Sequence, residues 1–291
     1  MRDSVAATGP CRDAGTERMH CDLRGYRVSV DIADPDAARS VRAIFREFET
    51  AAHPDGANVA PYALAREGES WAVSHAGLVV YRTDILPDAF IALEWQLVTD
   101  AIAHRRDLFH LHAAALLSPT SRSALVVAGV SGSGKTTLTL GLMARGFLPY
   151  SDDATLIDPE TGAPAAFRRA FHIDDGTRSL LAGLRVPPAW EFANVPAGYF
   201  RPPRWAEQGR PIRTVLFPTL SPDTVPALSP LAMADAAACL LPFSATLRQS
   251  PSLALRTAAR IVAGARCYRL ATGDLDRTLD LVAGRVERDD G

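Results

Sequence analysis

The sequence is almost without lysine. Of its 31 basic side chains one, Lys135, is lysine and 30 are arginine. On a solvated surface the two residues serve equally well, so the imbalance points to the one place where a compact ammonium on a flexible stem is kept. Long apolar runs are missing too. None approaches the roughly 18 residues that a membrane-spanning helix needs, and Met1 to Cys21 is polar, without the apolar core of a signal peptide. Neither sign of charge prevails. The net charge of −2 and a pI of about 6.4 leave no electrostatic footprint for nucleic acid or an anionic membrane surface. The four cysteines, Cys11, Cys21, Cys239 and Cys267, form neither a C-x-x-C pair nor a zinc spacing. They are expected as free thiols of a cytoplasmic protein. What remains is an ordinary globular composition, with 47% hydrophobic and 22% charged residues over 291 positions, enough for one large domain or two smaller ones.

The periodicity divides the chain. Residues 1–22 read as a loose leader. Residues 23–106 read as a small α+β domain, beginning with the alternating strand Arg27 to Ile32. Asp34-Pro35 has the form of an N-cap and first helical residue, and Val41, Ile44, Phe45 and Phe48 follow at helical spacing. Residues 53–69 look like loop. Trp71 to His75 and Leu78 to Arg82 suggest a hairpin about Ala76-Gly77, and apolar residues from Phe90 to Ile102 suggest a helix. Residues 107–291 read as a second, α/β domain. Leu108 to Leu117 and Ala124 to Ala128 are buried-type strands, Lys135 to Arg145 is a helix, and Phe147 to Tyr150 is the next strand, the order expected of a parallel sheet. Ten of the 21 prolines then fall between Pro187 and Pro230, which reads as an irregular lid containing one strand, Ile212 to Phe217.

The single lysine lies in a motif. Gly129-Val130-Ser131-Gly132-Ser133-Gly134-Lys135-Thr136 satisfies G-x-x-x-x-G-K-[ST] without a mismatch. Glycines let a backbone wrap closely around phosphate, successive N–H groups make an anion nest, and the following helix adds its positive end. Gly129, Ser131, Gly132, Ser133, Gly134, Lys135, Thr136 and Thr137 are therefore the expected nucleotide-binding residues, ATP the expected nucleotide, and the Thr136 hydroxyl a ligand to Mg²⁺. Arginine in place of Lys135 would bring a wide planar fork to a position that suits a point charge.

A second acidic element follows closely. Asp152 and Asp153 stand 16 and 17 residues after Thr136, at the end of the next expected strand. In parallel sheets, ligands bind at that end. Of two adjacent carboxylates, one can hold Mg²⁺ and the other can accept the proton of an attacking hydroxyl.

Glycine loop, helix, Arg145-Gly146, strand and Asp152-Asp153 together resemble the catalytic core of HPr kinase/phosphorylase. His112, in Leu111-His112-Ala113, matches that family's histidine before the loop strand. The likeness covers roughly residues 108–158, and the core is similar to that of phosphoenolpyruvate carboxykinases as well. The resemblance implies a P-loop kinase fold of that type, with Asp152 as catalytic base, Asp153 on the metal side, and Lys135 and His112 in the catalytic set. The family's glycine-rich signature of the bifunctional enzyme is not found downstream, so the nearer likeness is to related kinases of accessory gene clusters. Some of those phosphorylate serine on a ribosomally made peptide, such as a lasso-peptide precursor. The implied partner is thus a peptide or small protein bearing serine, and neither nucleic acid nor membrane; a homo-oligomer is compatible with the sequence. A nucleotide-binding regulatory module without transfer and a small-molecule kinase are the alternatives.

Weaker constellations read as structure first. His110 and His112 are two apart on one expected strand, with no third metal ligand nearby. His172-Ile173-Asp174-Asp175 and the arginines Arg201, Arg204, Arg210 and Arg213 fit a solvated surface.

Overall fold

The computed structural model describes residues 16–52, 58–120, 122–182, 198–221 and 224–289. The chain forms two compact units, divided between Arg105 and Arg106.

The first unit holds β1 (Glu17–Leu23), β2 (Tyr26–Ile32), α1 (Pro35–Phe45), β3 (Ala60–Glu67), β4 (Ser70–His75), β5 (Leu78–Thr83) and α2 (Leu86–His104). Its five strands make one sheet in chain order, antiparallel except for the β2–β3 pair, which α1 bridges. Asp34 caps α1, its carboxylate accepting from Ala37 N at 2.8 Å, an arrangement worth about 1 kcal/mol. The loose leader expected to residue 22 is corrected here. Met19, Cys21 and Leu23 alternate inward along β1 and are buried, a period of two hidden among polar neighbours; residues 1–15 of that leader lie outside the described residues. The loop expected over 53–69 is corrected as well. Its second half is β3, a central strand whose Tyr62 and Leu64 face the core.

The second unit begins with β6 (Phe109–Leu111), β7 (Ala113–Leu117), β8 (Ala124–Ala128), α3 (Lys135–Ala144), β9 (Leu148–Ser151) and β10 (Thr155–Ile157). It continues through three short pieces, β11 (Pro164–Ala165), β12 (Phe171–His172) and β13 (Tyr199–Phe200), with α4 (Asp175–Ala182) before the last. Next come β14 (Ile212–Thr219), β15 (Ala227–Pro230), α5 (Met233–Leu240), α6 (Thr246–Gln249), α7 (Pro251–Gly264), β16 (Arg266–Ala271) and α8 (Leu275–Asp289).

Six of these strands make the main sheet, in the order β15-β16-β14-β8-β7-β9. Its strands alternate between two cores. Leu125 and Val127 of β8, with Leu116 of β7, meet Leu138 and Leu142 of α3 and Leu279 and Val282 of α8. Ala124, Val126 and Ala128 face the other way, onto Leu240 of α5 and Ala258 and Ile261 of α7. Burial on both faces explains why β7 and β8 read as unbroken apolar runs.

The sheet is mixed rather than parallel throughout, which corrects the expected order. Strands β8, β14 and β16 are parallel, but β7 lies between β8 and β9, antiparallel to both. The apolar run Leu108 to Leu117 is also two strands, since β6 pairs with β10 in a separate small sheet and the chain changes sheets at His112. The expected lid is corrected over its second part. β14 sits between β8 and β16 at the middle of the main sheet, with Val215 and Leu216 fully buried. Residues 187–197 and 222–223 of that segment lie outside the described residues.

Candidate functional site

The topology gathers the chemistry at one edge of the sheet. Strands β8, β9, β14 and β16 run the same way, so their carboxyl ends share that edge. It carries the glycine loop after β8, Asp152-Asp153 after β9, Leu220 after β14 and Thr272 after β16. Because β7 runs the opposite way, its beginning lies there too; Ala113 pairs with Ala128, which places His112 beside the start of the glycine loop.

The loop has the backbone its glycines allow. Gly132 and Gly134 take φ of +76° and +87°, a region that side-chain-bearing residues avoid. A Cβ at Gly129 would meet Ser133 Oγ at 2.6 Å. Lys135 is 6% exposed, and its ammonium donates to Gly129 O at 2.9 Å and Val130 O at 3.2 Å. The same ammonium stands 3.7 Å from Asp153 Oδ1, and His112 Nε2 stands 3.9 Å from that oxygen. Thr136 faces the other aspartate, its Oγ1 lying 3.5 and 3.4 Å from Asp152 Oδ1 and Oδ2. Those contacts are longer than the roughly 3 Å limit of a good O–H···O bond.

The two carboxylates differ in setting. Asp152 is 4% exposed, whereas the Asp153 side chain is 36% exposed and His112 48%. Burial first, and repulsion by Asp153 second, push the Asp152 carboxyl up to about 8, against the pull of Arg169, Lys135 and the Thr136 hydroxyl. The turn that bears the pair is pinned from behind. Thr155 Oγ1 donates to Ala113 O at 2.7 Å. A hydroxyl has one proton, so Ser151 Oγ is the donor in its 2.6 Å contact with Thr155. This chain fixes Asp152-Asp153 against the residue after His112.

The structure thus brings Gly129, Ser133, Gly134, Lys135, Thr136, Asp152, Asp153 and His112 together. Ser131 and Gly132 lie on the exposed crest of the loop. Thr137 turns away, its hydroxyl 2.9 Å from that of Thr177 on α4. His110 is buried and His112 exposed, so the two do not form a pair. Asp174 accepts from Thr177 N at 2.6 Å at the start of α4, and His172 rests edge-on against Tyr199. Arg210 bonds Gln208 and Arg213 bonds Gly264 O, so neither is aimed at the glycine loop. Among the described residues there is no group of three or more potential metal-ligating His, Cys, Asp or Glu side chains. No helix among them is long and apolar enough to cross a membrane. Ser151, Thr155 and Arg169 were not legible as site residues, because nothing in their sequence neighbourhood marks them.

No family model and no curated protein matches the chain. Among solved structures it is similar to the HPr(Ser) kinase/phosphatase from Coxiella burnetii, with 14% identity and a TM-score of 0.29, over 62% of this chain and 94% of that one.

Proposed function

We propose that the chain is an ATP- and Mg²⁺-dependent kinase that moves the γ-phosphate to a hydroxyl, serine on a peptide or small protein. One observation carries this reading: a glycine loop with a buried lysine, a threonine and two carboxylates converges on a single sheet edge. The residues fit the ligand. Ser133 Oγ and Asp153 Oδ1 are buried with no hydrogen-bond partner, and the close packing at Gly129 leaves no room for a side chain. The loop amides and Lys135 would hold the β- and γ-phosphates. Bound Mg²⁺ would neutralise charge on those phosphates.

The geometry favours a division of the aspartates opposite to the one the resemblance implies. Asp152 is buried beside Thr136, which suits it to the metal. The Asp153 side chain as a whole is the more exposed of the two, so an incoming hydroxyl can reach its carboxylate. One observation favours the reverse, the elevated Asp152 carboxyl, since a base works best when poised near neutrality. Two variants decide. With labelled ATP and a serine peptide as acceptor, Asp153→Asn is expected to lose transfer by about 10²–10⁴-fold with nucleotide affinity kept. Asp152→Asn is expected to raise the Mg²⁺ concentration needed for half-maximal rate. The opposite pattern returns the base to Asp152. Full transfer by both variants removes the two aspartates from the mechanism, and a parent chain that passes no label from ATP to a hydroxyl sinks the kinase reading.

A further inference from the structure

Beside the glycine loop, in the same unit, lies a cleft of about 400 Å³. Gly134, the last glycine of the loop, and Thr137, on the first turn of α3, both line this cleft. The walls are apolar: Leu138 on α3, Leu180 on α4, Leu220 after β14 and Leu275 at the head of α8. Leu180 and Leu220 are 56% and 58% exposed, unusual for large apolar side chains that frame a concavity. The arrangement is tied down. Leu220 Cδ2 lies 3.2 Å from where a Cβ on Gly134 would stand, and the Thr137–Thr177 bond fastens α4 to α3.

The polar groups on the rim already have partners. Thr272 Oγ1 donates to Thr219 O, and Thr278 Oγ1 donates to Asp274 O. Asp274 Oδ1 accepts from Arg277 N, and Asp276 pairs with Arg145. What the cleft offers is therefore apolar surface opening directly onto a phosphate-type loop. Its volume is in the range of small-molecule sites. A flat ring with apolar faces, joined to a polyphosphate, matches both parts at once.

We propose that this cleft holds the nucleoside of the nucleotide whose phosphates lie in the glycine loop, with the base against Leu180 and Leu220. The proposal rests on reading that loop as a phosphate site. The test compares two ligands, MgATP and inorganic tripolyphosphate with Mg²⁺, by titration calorimetry on the full chain. The variants are Leu180→Gln and Leu220→Gln, both at exposed positions, so that neither opens the core. The parent is expected to bind MgATP at least about tenfold more tightly than tripolyphosphate. Each variant is expected to lose about tenfold in MgATP affinity while tripolyphosphate affinity stays within about twofold. Equal parent affinity for the two ligands, or variants that keep the parent's ratio, overturns the nucleoside cleft and leaves the phosphate loop standing. A parent that binds neither ligand overturns the loop reading, and the cleft with it.

Discussion

Lys135 can be tested by chemistry rather than by substitution. Being the one lysine in 291 residues, it shares primary-amine reactivity with the chain's N-terminus alone. Its ammonium is held on Gly129 O and Val130 O at the mouth of the loop. An amine-reactive probe read by peptide mass mapping is expected to label Lys135 slowly, and MgATP at a hundredfold excess over Kd should slow it about a hundredfold more. Labelling indifferent to MgATP would remove Lys135 from the proposed phosphate site. A second residue-scale case is His110, buried on β6 with neither ring nitrogen hydrogen-bonded. Burial, and then the charge of His112, push its value from 6.5 down to about 4. Between those values the unfolded chain binds more protons than the folded one, so stability rises with pH across this window and is lost as pH falls through it. His110→Leu removes that slope. Its melting temperature relative to the parent should climb as pH drops from 6.5 to 4, and hold steady above about 7. A difference that ignores pH would contradict the neutral buried imidazole.

At the scale of elements, the α3–α8 contact is the sharpest constraint near the site. Gly141 of α3 is buried against α8, and a Cβ there would stand 2.7 Å from both Leu279 methyl carbons. Glycine inside a helix costs about 1 kcal/mol relative to alanine, so close approach, not propensity, accounts for it. Gly141→Val is expected to destabilise by about 2 kcal/mol through overpacking. The cost should fall below about 1 kcal/mol when Leu279→Ala is present, because the pair shares one space. Additive costs in denaturant titrations would show that the crowding lies elsewhere.

Elements specified by neighbours in sequence were the legible ones. Asp34-Pro35 marked the start of α1. Ala76-Gly77 marked the β4–β5 turn, where both residues take positive φ. Elements specified by distant partners were not legible. β3 carries Pro61 and three alanines and is a strand because β2 and β4 flank it. The insertion of β7 between β8 and β9 depends on pairings that no periodicity encodes. The site divides along the same line. The glycine loop and the adjacent aspartates were readable because each is a local motif. Which aspartate faces Thr136 depends on how β9 ends against β7, and the cleft wall at Leu220, after β14, and Leu275, at the head of α8, comes from segments more than 80 residues beyond Lys135.

At the scale of the whole molecule, two compact units each enclose apolar residues of their own. The first buries Val30, Ile32, Leu64 and Phe90 among its sheet and helices. The second has a core on each face of its six-stranded sheet. Units with separate cores can unfold separately, and a ligand stabilises only the unit that binds it. All residues of the candidate nucleotide site belong to the second unit. MgATP at a hundredfold excess over Kd should therefore add about 2.7 kcal/mol to that unit and nothing to the first. In scanning calorimetry the expected outcome is two transitions, one rising with MgATP concentration while the other stays fixed. A single transition that moves as a whole would mean the two units melt as one cooperative body. Two transitions that both ignore MgATP would instead count against the nucleotide site, since no tight ligand can bind a folded unit without raising its stability.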